Sequence, residues 1–362
     1  MDFIVSLLAG TIRVTIPIAF AALAGVLSER SGVINMGLEG MMLMGSFFGV
    51  VGSYVTGNAW MGLAFAMVSG AVFGLIMAVF TISFKCEHML AGVGINILAS
   101  GLSIVLLQMI WGTKGKSGIV EGLGIISVPL LNKIPVIREL IGTVSPMFYI
   151  LLLCVFLLWI VLYRTPVGLR VRVIGDNPFM AGSMGVKVYK YQYISLMAAG
   201  MLAAMGGAYL SIGDINMFSK DMVSGRGYIA LSMVILGGWH PVSVAACGLI
   251  YGLAQSLQFR LQTVDIPPQL VQMLPYVITI FVLVFARNKS KAPAAAGRLY
   301  RVLVFTTVPK SACCVAEEAM VVSEIGPKLS PNAAPDTIAP IINSGAAPAI
   351  TPTGNKIGIT TK

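Results

Sequence analysis

Residues 31–40 read SGVINMGLEG and set an amide, Asn35, and a carboxylate, Glu39, four positions apart between two long apolar runs. On a helix that spacing puts both groups on one face, with Gly37 and Gly40 thinning the neighbouring face. A charged side chain at the centre of a bilayer costs about 2.5–3.5 kcal/mol on insertion scales, so such groups turn to a bundle interior or to water. Two roles stay open for this stretch. It lines the route of a polar solute, or Glu39 closes a structural ion pair with Arg13 or Arg30. Asn96, Ser100 and Ser103 recur at i, i+4 and i+7 as a second polar stripe, and Gln255, Gln258 and Gln262 form a third. Both stripes suit either a wet cavity or hydrogen bonds between helices. Asn35, Glu39, Asn96, Ser100 and Gln255 are therefore the candidate path residues, and Phe47, Phe48 and Trp111 offer ring faces to a solute.

Other chemistries find little support. His88 and His240 are the only histidines, no HExxH or nucleophile–base pair stands out, and the five cysteines have neither metal spacing nor a disulfide framework. The stretch GTKGKSG at 112–118 is reminiscent of a phosphate-binding loop, but that loop needs a glycine where Ile110 stands. The expectation is a chain with no catalytic residue, no metal, no cofactor and no ATP site of its own.

The elements that must hold these residues follow from composition. The chain has 362 residues, 57% of them hydrophobic and only 10% charged, with a mean hydropathy of +0.89. Soluble domains carry about 25% charged residues, so the chain reads as an all-α, polytopic membrane protein in contact with the lipid bilayer. Apolar runs near 3–27, 34–54, 59–83, 88–111, 146–163, 191–212, 226–239, 241–259 and 269–286 give about nine spans. The N-terminus has no basic leader region, which reads as a retained first span. The pairs GSFFG (45–49) and GAVFG (70–74) read as packing seams.

The net charge of +10 does not imply nucleic acid, because the basic residues gather in loops between apolar runs. The loop 164–190, with Arg164, Arg170, Arg172, Lys187 and Lys190, belongs on the cytoplasmic side, as does RNKSK at 287–291; the N-terminus falls outside. Residues 1–290 form the membrane domain, and 301–362, rich in Pro, Ala, Ser and Thr, read as a disordered tail.

Within the basic loop, GDNPFMAGSMGV reads as a short helix over about 178–184. Asp176 or Asn177 caps it, Pro178 fits the first turn, and Gly185 ends it in the left-handed conformation. Such a helix has no folding purpose inside a bilayer, and docking to a cytoplasmic partner accounts for it better than a passive connector.

SGVINMGLEGMMLMGSFFG, RTPVGLRVRVIGDNPFMAGSMGV and SGRGYIALSMVILGGWHP resemble the permease subunits of bacterial ABC importers of the branched-chain amino acid, ribose and simple-sugar class, with the nearest likeness to the nucleoside-importing subgroup. The resemblance runs from about Ile12 to about Tyr300. It implies the ABC importer permease fold and a bacterial plasma-membrane location. It also implies a separate ATPase subunit using ATP and magnesium, a second homologous permease in a heterodimer, and an extracytoplasmic solute-binding protein. Gly175, Asp176, Asn177, Pro178, Ala181 and Gly185 match the family's coupling-helix region. The rival readings are an ion-coupled secondary transporter or a sugar permease.

The charge pattern gives a first prediction. In a cysteine-free background, an impermeant thiol reagent added outside modifies a cysteine placed at Asn58 and spares one at Ser183. The opposite labelling pattern contradicts the orientation.

Overall fold

The computed structural model describes residues 2–124, 145–262, 273, 277, 292–297 and 300. Inter-residue contacts divide the chain between Tyr300 and Arg301. The expected tail 301–362, the basic segment 287–291 and, apart from Met273 and Val277, the expected span 269–286 lie outside the described residues.

The described helices are, in chain order, α1 (Asp2–Arg30), α2 (Leu38–Thr56), α3 (Ala59–Ala78), α4 (His88–Trp111), α5 (Met147–Arg164), α6 (Pro166–Asp176), α7 (Pro178–Ser183), α8 (Val188–Ala208), α9 (Arg226–Leu236) and α10 (Pro241–Leu261). A π-helical turn extends α3 over Val79–Ser83, and another extends α8 over Tyr209–Ile215. Among the described residues the only bridge of β type is an isolated antiparallel one between Lys116 and Ser219. The protein is an all-α polytopic membrane bundle.

Seven of these helices, with their extensions, are long and apolar enough to cross a membrane, and they coincide with seven of the nine expected spans. The span expected at 226–239 needs correction. Helix α9 has 11 residues, which at 1.5 Å per residue is roughly half of the ~30 Å hydrocarbon. Local chemistry sets both ends. Gly225 precedes it at φ +81°, and Gly238 and Trp239, both at positive φ, stop it. The chain still passes from one end of the bundle to the other here. Residues 117–123 bond to the backbone of 212–218 near the end of α4, whereas Trp239 meets Glu29 and Arg30 at the end of α1. An irregular segment, 216–225, completes the crossing. Backbone of this kind is tolerated at membrane depth only where protein or a water-filled cavity surrounds it.

The centre of the bundle is α1, α2 and α8. Ile16, Ile18, Phe20 and Leu23 on α1, and Met41, Met42 and Phe47 on α2, are fully buried. The two glycine seams do what their spacing suggests: Gly45 and Gly49 lie against Ala204 and Ala208, and Gly70 and Gly74 against Gly200 and Leu196, all on α8. At Gly70 and Gly200 each backbone approaches the other so closely that a Cβ on either presses into the opposite carbonyl. Lipid is as apolar as a leucine, so close backbone packing, and not hydrophobic exclusion, holds such helices together. Helices α4 and α5 keep wide apolar faces exposed, with Leu90, Ile97, Val105 and Met109 on one and Leu153, Phe156 and Leu157 on the other.

The basic loop contains more structure than expected. A second helix, α6, precedes the short one. Thr165 caps it by accepting from the Gly168 N–H at 3.2 Å, and Pro166 opens its first turn.

The seam yields a prediction. Gly200→Ala forces α3 and α8 apart and lowers the melting temperature of the detergent-solubilised protein by several degrees, the shift expected for about 1–3 kcal/mol of overpacking. Gly94→Ala, whose Cβ enters open space, leaves the melting temperature unchanged or slightly raised. Equal behaviour of the two variants contradicts the seam.

Candidate solute path and docking element

The first N–H groups of α9 have no acceptor within the helix. Its N-cap residue, Gly225, has no side chain to satisfy them. Glu39, in the first turn of α2, supplies the acceptor from across the bundle: Oε1 accepts from Gly225 N–H and Oε2 from Gly227 N–H, both at 2.7 Å. A Cβ at Gly227 would lie 2.6 Å from the Glu39 nitrogen, so the motif SGRG provides both the donors and the clearance. The positive end of the α9 dipole adds to the attraction. Between the two glycines, Arg226 turns back to donate from Nη1 to Met222 O at 2.8 Å and Val223 O at 3.1 Å. Its side chain is within electrostatic reach of Glu39 and Asp214.

Neither partner expected for Glu39 takes that role. Arg30 donates through Nε to Trp239 O at 3.1 Å and through Nη2 to Tyr163 Oη at 3.5 Å. The shared helical face is also corrected. Helix α2 begins at Leu38, so fully buried Asn35 sits in the non-helical connector 31–37, where its Oδ1 accepts from Gly37 N–H at 3.0 Å. The turn chemistry of an Asx side chain there outweighs helix continuation.

Asn96 on α4 ties the pieces together. Its Oδ1 accepts from Gly40 N–H at 2.8 Å, and its Nδ2 donates to Met36 O at 3.0 Å and to Tyr228 Oη at 2.8 Å. Glu39, Asn35, Asn96 and the start of α9 thus form one assembly. Ser100 and Gln255 are not part of it. The Ser100 carbonyl accepts from Ser103 Oγ at 2.8 Å, and half-buried Gln255 has an Oε1 without a partner among the described residues. Phe47 is closed to a solute, since it is fully buried and packs edge-on against Phe48, Trp111 and Phe218 at ring distances of 5.6, 6.2 and 5.2 Å.

At the basic end, α7 has the expected build. Asn177 Oδ1 accepts from Phe179 and Met180 N–H, each at 3.1 Å, Pro178 opens the helix, and Gly185 follows at φ +80°. Ala181 is fully buried, in a small cluster with Ile174 and Val188. Gly175 is buried against the Arg30 carbonyl, and Asp176 is exposed. Phe179, Met180 and Met184 stay 45%, 59% and 76% exposed. Residues beyond the bundle, which sequence reasoning gave no role, pin this element down. Ala295 N–H donates to Gly175 O and Gly297 N–H to Gly32 O, both at 3.0 Å, and the Tyr300 ring lies 5.2 Å from that of Phe179.

A chain of contacts runs from α6 to the lower end of α9. Arg172 stacks over Tyr163 at 4.8 Å, and Tyr163 lies 4.9 Å from His240. Burial and the Arg30 guanidinium push His240 below the usual imidazole range. Next to it, Trp239 Nε1–H donates to Glu29 Oε2 at 2.5 Å.

Residues 7–283 match the family described as branched-chain amino acid transport system / permease component. The guanosine ABC transporter permease protein NupQ of Bacillus subtilis is 36% identical over 78% of this chain and 92% of its own. The nucleoside ABC transporter permease protein NupC of Lactococcus lactis is 35% identical over 78% and 93%. A second Bacillus subtilis protein, the guanosine ABC transporter permease protein NupP, is 25% identical over 75% and 79%. With a matching family model over most of its length, a membrane bundle and a capped helix at its basic end, the chain belongs to the branched-chain amino acid transport system permease family.

Proposed function

We propose that this chain is one membrane-spanning subunit of an ATP-driven importer that carries nucleosides across a bacterial plasma membrane. ATP is bound and hydrolysed by a separate ATPase, and the permease itself holds no cofactor. The observation that carries the reading is the docking element. Helix α7 is capped by Asn177, braced by Ala295 and Tyr300, and turns apolar Phe179, Met180 and Met184 outward, although closing the bundle does not require it. Exposed apolar clusters of this kind mark surfaces that meet a partner. With the basic loop on the cytoplasmic side, that partner is the ATPase.

The relatives named for guanosine and nucleosides support the solute class, since the alignment spans nearly all of each. Bacillus subtilis has two guanosine permease proteins similar to this chain, at 36% and 25% identity. That supports a complex of two different permeases, in which this chain is the counterpart of the first. A solute-binding protein delivers the nucleoside at the outer face. In this reading Glu39, Asn35 and Asn96 fix the wall of the path, Ser100 continues it along α4 and Gln255 along α10, and residues 1–290 act as the permease domain, with no role for 301–362.

The test is uptake of labelled guanosine by vesicles holding the whole complex, with ATP trapped inside or absent. Uptake is expected only with ATP. Phe179→Glu is expected to cut co-purification of the ATPase by about tenfold or more while the membrane yield of the permease holds, as for loss of a central apolar contact. Uptake that ignores ATP and collapses with an ionophore supports the ion-coupled rival instead.

A further inference from the structure

On the side of the bundle away from the basic loops, a cavity of about 390 Å³ opens between α1, the entry to α5 and the π-helical turn after α8. Arg13, Ser145, Tyr209, Asp214 and Asn216 line it, and Gly124 and Gly213 leave bare backbone in its wall. Its volume is within the range of small-molecule sites, about 300–1,000 Å³.

Three features make it more than a gap in packing. Arg13 is an ionisable residue within the first membrane helix, where a charge is costly and implies a purpose. Ser145 is 8% exposed, and its Oγ is buried with no hydrogen-bond partner among the described residues. The wall carrying Tyr209 and Asp214 is a π-helical turn, followed by Asn216 in the left-handed conformation at φ +57°. π-turns are rare and recur at functional sites, and Asn accepts the left-handed position that ends this one.

We propose that this cavity is an outer binding subsite for a neutral, polyhydroxylated solute, namely a nucleoside. The inference rests on the nucleoside reading above and adds where, and by which groups, the solute is held. The chemistry follows from the lining. Among the described lining residues Arg13 and Asp214 bring opposite charges that sum to zero, so these residues favour neither an anion such as a nucleotide nor a cation. Carboxylate Asp214 accepts from sugar hydroxyls, guanidinium Arg13 donates to oxygens, and Asn216 and Ser145 do both. An amino acid zwitterion matches the two charges as well, and the leucine arm of the experiment separates it from a nucleoside.

The experiment uses the complete transporter in proteoliposomes, with labelled guanosine as probe at saturating binding protein. Asp214→Asn and Asn216→Ala are each expected to lower the maximal uptake rate by about tenfold or more, as when a site built to hydrogen-bond a hydroxyl loses its partner. The double variant Arg13→Gln/Asp214→Asn stays low. Uptake within about twofold of the unaltered transporter in both single variants, or recovery in the double, overturns the proposal, because recovery means the two charges only balance one another. A second readout needs no transport. In a cysteine-free complex, Ser145→Cys reacts with a small thiol reagent, and guanosine at a few times its Kd slows the reaction roughly threefold or more while leucine does not, as mass action requires. Absence of guanosine protection, or protection by leucine instead, also overturns it. The unaltered transporter separates the two levels of the argument. If it takes up no nucleoside with ATP, the functional reading fails. If it does and the variants are indifferent, only the subsite fails.

Discussion

The arrangement turns on one interaction, the Glu39 carboxylate accepting from the Gly225 and Gly227 N–H groups. A helix that begins inside a bilayer leaves donors unsatisfied in a medium without water, at a cost of several kcal/mol per group. Charge-assisted hydrogen bonds contribute about 1.5–3 kcal/mol each, and the helix dipole contributes up to ~2 kcal/mol in a partly buried setting. One carboxylate on α2 therefore permits a half-length helix in a position where a full span was expected. The surrounding polar groups serve that carboxylate. Asn35 shapes the turn that starts α2, and Asn96 holds the first turn of α2 and Tyr228 of α9 together.

The same helix is gripped at its other end. Arg30 and Glu29, the last residues of α1, hold the backbone and the indole of Trp239. Arg172 of α6 rests on Tyr163, which in turn touches Arg30 and His240. Helix α9 is therefore held at its start by the polar assembly around Glu39 and just past its end by the last residues of α1, two ring contacts away from α6. A displacement of α6 and α7 has a short, packed route to the start of α9. That route is the physical basis for coupling in the proposed importer, and its energetic weight belongs to measurement and not to proximity.

Much of this was legible in the sequence. The long spans follow from apolar length alone, and the seams at Gly45–Gly49 and Gly70–Gly74 from spacing. The Asn177–Pro178–Gly185 helix could be read residue by residue, because capping and turn chemistry are local. What escaped was set by tertiary contacts. Apolar length fixes a span but cannot tell that an 11-residue helix ends at a glycine pair and is capped from another helix. The SGRG motif was visible, yet its donors point at a carboxylate 186 positions away in the chain. The sequence marks Glu39 as a carboxylate in need of a partner and suggests a cation, because a backbone amide has no sequence signal. Asn35 was placed on a helix that the Asx turn prevents from starting so early. Helix α6 was overlooked because its arginines hide the apolar face that packs on α5.

The most direct measurement of the central claim is hydrogen exchange at the amides of residues 222–230 in the purified protein, compared between the unaltered chain and Glu39→Ala. If the carboxylate caps α9, its removal speeds exchange at Gly225 and Gly227 by about tenfold or more, the equivalent of one lost charge-assisted hydrogen bond, while amides in the middle of α8 keep their protection. Unchanged exchange at these glycines, or an increase spread evenly over the whole bundle, contradicts the account.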